Sequence, residues 1–249
     1  MKRRGSEGGS GKPPRVDGAG GVPADNYTPW SSGNHEPATV IVLAGGNSTR
    51  MGVDKSLLPF LGRPLIQHVC EQVAPHFDEL LIAAGAGRKF DFLDAPVVCD
   101  ELPKQGPLQA IASALAVSRH DLNFVMACDI PWVNVALLRD LLRGAKDCDC
   151  VVPITADGHY EPLFAVYRKS ALPGMRQALQ DGERRAAAAF RFCRMRTVPV
   201  PAESGLDNIN TIEDYRRLLR SAELREQVGM SSLPHHSHPE TPHSQTGCP

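Results

Sequence analysis

The sequence predicts an α/β protein built on a single doubly wound, mostly parallel sheet. Three observations carry this. Short runs rich in Val, Ile, Leu, Phe and Ala alternate with segments of helical spacing, the joins between them carry Gly or Pro, and no internal repeat interrupts the pattern. Such alternation implies βαβ units. Their right-handed crossovers cover both faces of a sheet and leave ligands at the C-terminal ends of its strands.

Taken in order, Thr39 to Leu43 (TVIVL) reads as a short buried strand. Pro64 to Val73 has helical spacing with Pro at its first turn. Leu80 to Ala84 and Pro96 to Cys99 read as strands, and Pro107 to Val117 as a helix that again opens on Pro. Asn123 to Ala127 is a strand, Val135 to Arg143 a helix, and Asp149 to Val152 and Leu163 to Tyr167 two further strands. Pro173 to Leu179 and Arg184 to Phe192 are helical, Thr197 to Val200 is a last strand and Thr211 to Leu224 a last helix.

One domain over 38–228 holds all of this. Residues 1–37 are rich in Gly, Pro and Ser without hydrophobic periodicity, so they read as a disordered extension. Residues 229–249 read as a second disordered tail, where His235, His236, His238 and His243 stand among Ser, Pro and Thr. Clustered imidazoles can bind a transition metal; neither tail enters the chemistry.

A net charge of -1 gives no global reason to expect nucleic acid or an anionic membrane as partner. No apolar run approaches the roughly 18–20 residues needed to span a bilayer. The MKRRG start is followed by Gly, Ser, Pro and Lys rather than an apolar segment, which speaks against export. The seven cysteines form no CxxC pair and several sit in apolar runs, as buried free thiols of a reducing cytoplasm do.

The most informative segment is LAGGNSTRMGVDKSLLP, Leu43 to Pro59. Strand residues Leu43 and Ala44 run directly into Gly45 and Gly46, where the lack of a Cβ lets backbone N–H groups approach a phosphate closely and permits conformations a Cβ would forbid. Arg50 can fork onto phosphate oxygens, and Lys55 adds a compact positive charge. Together they describe a triphosphate cradle; a structural turn with solvated charges is the plainer alternative. The spacing is neither the GxxxxGK[ST] P-loop nor GxGxxG. Asp100 and Asp129 each follow an apolar strand and should emerge at the same edge of the sheet, unless both are ordinary turn aspartates. A nucleoside triphosphate needs hard oxygen ligands for Mg²⁺, and Asp129, stiffened by the following Ile130-Pro131, is well placed to supply one.

LAGGNSTRMGVDKSLLPFLGRPLIQHV resembles, almost residue by residue, the signature LAGGxSxRMGxDKxLLxxxGxPLxxHV of the molybdenum cofactor guanylyltransferase family. CDIPWV resembles that family's CDxPxV, whose Asp binds metal and nucleotide, so Asp129 inherits both roles. VVCDELPKQGPLQAI resembles its D…GPLxGI, whose Asp contacts the nucleotide, here Asp100. The resemblance implies a Rossmann-like nucleotidyltransferase fold, with Leu43, Ala44, Gly45, Gly46, Lys55, Asp100 and Asp129 around the nucleotide and Mg²⁺ on Asp129. It further implies GTP and the molybdopterin cofactor as substrates, and molybdoenzymes or other cofactor-assembly proteins as partners. Two departures stand out. Gln109-Ala110 replaces small residues or Gly, and LLIAAGAG lacks the Asn that guanylyl-transferring members tend to place after the second strand.

In the C-terminal half, Asp207 to Asp214 (DNINTIED) resembles the family's NxNTPED. Asn210 or Thr211 makes a good N-cap, with Glu213 or Asp214 completing a capping box. The resemblance adds a role for Asn208 and Asn210 in orienting the acceptor or metal-bound waters. Gly182 to Arg185 resembles a GERR segment that could bind acceptor phosphate or simply start a helix. His159 to Pro162 either line the acceptor pocket or merely feed the next strand. The chemistry implied is attack by an acceptor phosphate on the α-phosphorus of the triphosphate, with Lys55, Arg50 and Asp129 as the groups that align and neutralise charge. It needs no Ser, Cys or His nucleophile. A CTP-using relative, one acting on a sugar or polyol phosphate, and a non-catalytic nucleotide-binding module are the competing readings.

Overall fold

The computed structural model describes residues 36–45, 54–85, 88–99, 106–200, 206 and 208–227, all within the compact unit His35–Pro249. Its strands and helices in chain order are β1 (Glu36–Leu43), β2 (Pro59–Phe60), β3 (Arg63–Pro64), α1 (Leu65–Val73), β4 (Phe77–Ala84), β5 (Val97–Cys99), α2 (Pro107–Val117), β6 (Leu122–Ala127), α3 (Val135–Gly144), β7 (Cys150–Ile154), β8 (Phe164–Arg168), α4 (Leu172–Gln180), β9 (Met195–Pro199) and α5 (Ile212–Gln227).

The main sheet has the order β5-β4-β1-β6-β8-β7-β9. β4, β5 and β6 continue the direction of β1, β8 runs antiparallel to both its neighbours, and β9 is parallel to β7. The doubly wound, mostly parallel expectation holds, with β8 as the reversed strand. Successive β1 side chains go to opposite faces, as strand geometry requires. Val40 and Val42 join the core under α1 and α3, with Ile66, Val69, Leu138 and Leu141. Ile41 and Leu43 join the core under α2 and α4, with Leu108, Ile111, Leu115 and Met175. Helices on both faces explain why the strands read as continuous apolar runs.

The chain moves from β1 to β4 and β5 on one side, then returns to β6 on the other side of β1. That reversal opens a crevice at the C-terminal ends of β1 and β6, where open α/β sheets bind ligands. A third, smaller cluster of Phe60, Leu65, Ile209, Leu218 and Ala222 fastens α5 beside this crevice, with Trp132 and Tyr215 packed on it.

Local differences from expectation have local causes. Pro64 is the extended N-cap of α1 rather than its first helical residue, because it pairs with Pro59 in the β2–β3 hairpin. That hairpin turns on Leu61 (φ 49) and Gly62 (φ 77), the two left-handed positions of a tight two-residue turn. Residues Ala186–Phe192 form a 3-10 rather than an α-helical stretch. Gln109 and Ala110 are accommodated in α2: Gln109 is buried and donates to Ser113 Oγ at 3.0 Å, so its amide is satisfied within the helix. α2 opens at Gly106 (φ 78), where a Cβ would stand 2.9 Å from the Arg184 carbonyl oxygen, and that carbonyl accepts from Leu108 N at 3.2 Å. A side chain there would displace the group that satisfies an open N–H of the helix start.

Among the described residues no helix is long and apolar enough to cross a membrane. The residues 1–35 and 228–249 lie outside the described residues.

Candidate active site

β1 ends in a position fixed from both sides. Leu43 O accepts from Cys128 N at 3.1 Å, and Ala44 N donates to Ala83 O at 2.8 Å. Leu43 and Ala44 are buried, while Gly45 is exposed at the mouth of the crevice. Its backbone is not left-handed, contrary to one reason for expecting a glycine there. A Cβ on Gly45 would meet Gly85 N at 3.6 Å and Ala84 Cα at 3.8 Å, which is ordinary contact. Among the described residues nothing in the fold requires a glycine at 45.

Lys55 opens the short 3-10 turn Lys55–Leu57. Asp54 caps that turn, its Oδ1 accepting from Ser56 N at 3.1 Å and from Ser56 Oγ at 2.6 Å. The Lys55 ammonium reaches two distant segments: Asp129 Oδ2 lies 3.6 Å away, and Asn210 Oδ1 accepts from it at 3.4 Å. Three sequence motifs therefore converge on one point.

Asp129 follows β6 in a turn closed by Ile130 N donating to Ala127 O at 3.3 Å. Gln72 of α1 holds the segment beyond: its Nε2 donates to Pro131 O at 2.9 Å and its Oε1 accepts from Val133 N at 3.3 Å. Asn210 is brought in by Ile209, which buries its side chain in the third cluster and donates its N–H to Asp129 O at 3.0 Å. The capping box forms at Thr211 and Asp214: Thr211 Oγ1 accepts from Asp214 N at 3.1 Å, and Asp214 Oδ2 accepts from Thr211 N at 2.9 Å.

Burial raises the carboxyl pKa of Asp129 above its ordinary value, against the opposing pull of Lys55. Its side chain keeps 24% exposure, so the carboxylate is partly dehydrated yet open to the crevice. That chemistry fits Mg²⁺, which bonds to one or two carboxylates and completes its shell with water and substrate phosphates. Among the described residues no group of three or more His, Cys, Asp or Glu gathers into a cage.

Gly46, Arg50 and Asp100 lie outside the described residues. Asn208 is exposed, and the bond to Lys55 comes from Asn210. His159 to Pro162 lead into β8: Tyr160 bridges to Ile154 and packs edge-on against Phe190 at 5.7 Å, while Tyr167 OH donates to Pro162 O at 2.8 Å. Arg184 and Arg185 are exposed beside the start of α2. Sequence reasoning missed Asp54, Gln72 and Ile209 as supports of the site. Asp54 alone had a local signal, an Asp two residues before a Ser at a turn.

Comparison with known proteins shows the family. Residues 40–197 match the family model described as "MobA-like NTP transferase domain". The chain is 33% identical over 195 residues to a Carboxydothermus hydrogenoformans protein named "Probable molybdenum cofactor guanylyltransferase", covering 76% of this chain and 98% of that relative. It is 36% identical over 151 residues to the molybdenum cofactor guanylyltransferase of Pseudomonas putida strain GB-1, covering 59% and 79%. The crystal structure of molybdopterin-guanine dinucleotide biosynthesis protein A from Archaeoglobus fulgidus superposes with a TM-score of 0.65 at 26% identity, over 75% of this chain and 99% of that one. The chain thus belongs to the MobA-like NTP transferases, the nucleotidyltransferase family of the molybdenum cofactor guanylyltransferases.

Proposed function

We propose that this protein transfers GMP from GTP to the terminal phosphate of Mo-molybdopterin, releasing pyrophosphate and forming the guanine dinucleotide cofactor. The observation that carries the proposal is the meeting of Lys55, Asp129 and Asn210 at the C-terminal ends of β1 and β6, within a MobA-like domain. The relatives' names supply the identity of donor and acceptor.

In this reading the nucleotide lies along Leu43, Ala44, Gly45 and Gly46, with Asp100 as a further contact. Lys55 and Arg50 neutralise the β- and γ-phosphate oxygens. Asp129 would hold a Mg²⁺ ion, which would supply Lewis-acid polarisation of the phosphates. The acceptor's phosphate oxygen attacks the α-phosphorus, and the bond from that phosphorus to the β-phosphate oxygen breaks. Both reactants are anions, so the residues' task is alignment and charge neutralisation rather than nucleophilic attack. Asn210 accepts from the Lys55 ammonium at 3.4 Å and so helps hold it in place, and Asn208 with Asn210 would orient the acceptor or metal-bound water.

We take 38–228 as the catalytic unit and the cytoplasm as its place of work; the thiols of Cys70 and Cys128, driven up by burial, suit a reducing compartment. Molybdoenzymes or cofactor-assembly proteins would receive the product. A CTP-dependent reaction is the second reading, because Ala83 or Gly85 stands where guanylyl-transferring relatives tend to place an Asn. Incubation with each of four nucleoside triphosphates, Mg²⁺ and Mo-molybdopterin, followed by mass detection of the dinucleotide, tests the proposal. A guanine dinucleotide is expected, and a cytosine dinucleotide or no product would refute it.

A further inference from the structure

We propose that Asp54 and Lys89 form a positioning strut for Lys55, in which Lys89 occupies the Asp54 carboxylate and keeps it from capturing the adjacent phosphate-binding ammonium. This rests on the reading of Lys55 as the triphosphate cation.

Asp54 is a carboxylate placed directly before that cation, an arrangement that invites self-neutralisation. Its two oxygens are divided between other partners. Oδ1 takes both the N–H and the hydroxyl of Ser56, and Oδ2 takes the Lys89 ammonium. Burial alone would raise this carboxyl; the bonds from Lys89 and Ser56 outweigh it and hold the group below the ordinary carboxylate range.

Lys89 is itself anchored. It sits in the 3-10 turn Arg88–Phe90 between β4 and β5, with its ammonium 4.7 Å from the centroid of the Phe90 ring. Phe90 is fully buried in the core beneath α1 and α3. The strut therefore runs from the core, through Lys89 and Asp54, to the turn that presents Lys55 toward Asp129 and Asn210.

A partly exposed ion pair contributes at most about 1 kcal/mol to folding, so a merely structural pair would leave little trace in nucleotide binding. Lys89→Met keeps the stem over Phe90 but frees the Asp54 carboxylate to turn to Lys55. The loss of one charge-assisted contact to phosphate should raise the Kd of GTP with Mg²⁺, by calorimetry, and the KM for GTP, each about tenfold. The kcat should stay within about threefold and the melting temperature within about 2 °C. Lys89→Arg should restore binding. In an Asp54→Asn background Lys89→Met should add no further loss, because no carboxylate remains to be released.

Unchanged Kd and KM in Lys89→Met, in a wild-type protein that binds GTP, would overturn the strut, as would equal losses from Lys89→Met in both backgrounds. A wild type that binds GTP in a Lys89-dependent way but forms no dinucleotide would sustain the strut and sink the proposed reaction. Wild-type protein that binds neither GTP nor inorganic tripolyphosphate would overturn both.

Discussion

Asp129→Asn separates the chemistry of the site from its stability. The change keeps the shape of the side chain and removes one charge. In the folded protein burial raises the Asp129 carboxyl despite a Lys55 ammonium at 3.6 Å, so dehydration exceeds what the ion pair returns. The sign of the linkage follows. A carboxyl raised on folding favours the native state below its unfolded pKa and loses that contribution as pH rises through the folded value. At neutral pH the ionised group therefore opposes folding. Its replacement by Asn should stabilise the protein by no more than about 1 kcal/mol, since Lys55 forfeits a partly exposed ion pair. For a domain of this size that is a rise of about 0–4 °C in melting temperature. Activity should move the other way. If Asp129 holds the metal as proposed, loss of its carboxylate should remove several kcal/mol of charge stabilisation, or about 10³-fold in turnover. Calorimetric melting at pH 7.5 together with pyrophosphate release under saturating GTP reads both quantities. A melting temperature lowered by more than about 4 °C would refute the electrostatic argument, and wild-type-like turnover would remove Asp129 from the mechanism.

Lys55→Ala should lower turnover by about 10²–10³-fold. By removing the cation that pulls the Asp129 carboxyl down, it should also move the acid limb of the pH–rate profile to higher pH; an unmoved limb would contradict the pairing. Gly45→Ala should melt within about 1 °C of wild type, because among the described residues the added Cβ meets only ordinary contacts, yet lower kcat/KM for GTP more than for CTP. Equal effects on the two nucleotides would dissociate Gly45 from base recognition. His68 is buried between Phe60 at 4.6 Å and Trp132 at 5.3 Å, and burial with the nearby Arg63 lowers its pKa to about 4, against a pull upward from the Pro131 carbonyl. A depressed histidine contributes stability above its unfolded value of 6.5 that is lost as pH falls toward about 4, so His68→Leu should flatten the wild-type loss of stability across that window. Parallel denaturation curves for the two proteins from pH 7 to pH 4 would rule this out.

The main strands and helices were legible because both faces of the sheet are covered, which leaves residues 40–43 of β1, 80–84 of β4 and 124–127 of β6 as apolar runs. The sense of β8 was not, since LFAVY reads alike in either direction and only its pairing with β6 and β7 sets it. The β2–β3 hairpin stayed hidden because Leu61 takes a left-handed turn position that sequence rules reserve for Asn or Gly. Lys55 and Asp129 could be named from strand ends and charge. That Asn210, rather than Asn208, bonds Lys55 depends on Ile209 docking into a cluster built from β2, α1 and α5. Lys89 carried no local signal at all: its partner lies 35 residues away, and only the packing of the β4–β5 connection brings them together.

The fate of the phosphates tests the central claim most directly. The protein is incubated with Mg²⁺, Mo-molybdopterin and GTP labelled with ³²P at either the α or the γ position, and the cofactor and the released phosphates are separated. Attack at the α-phosphorus requires the α label to enter the cofactor and the γ label to leave entirely as pyrophosphate. Label from the γ position in the cofactor, or release of the γ label as inorganic phosphate, would contradict nucleotidyl transfer at this site.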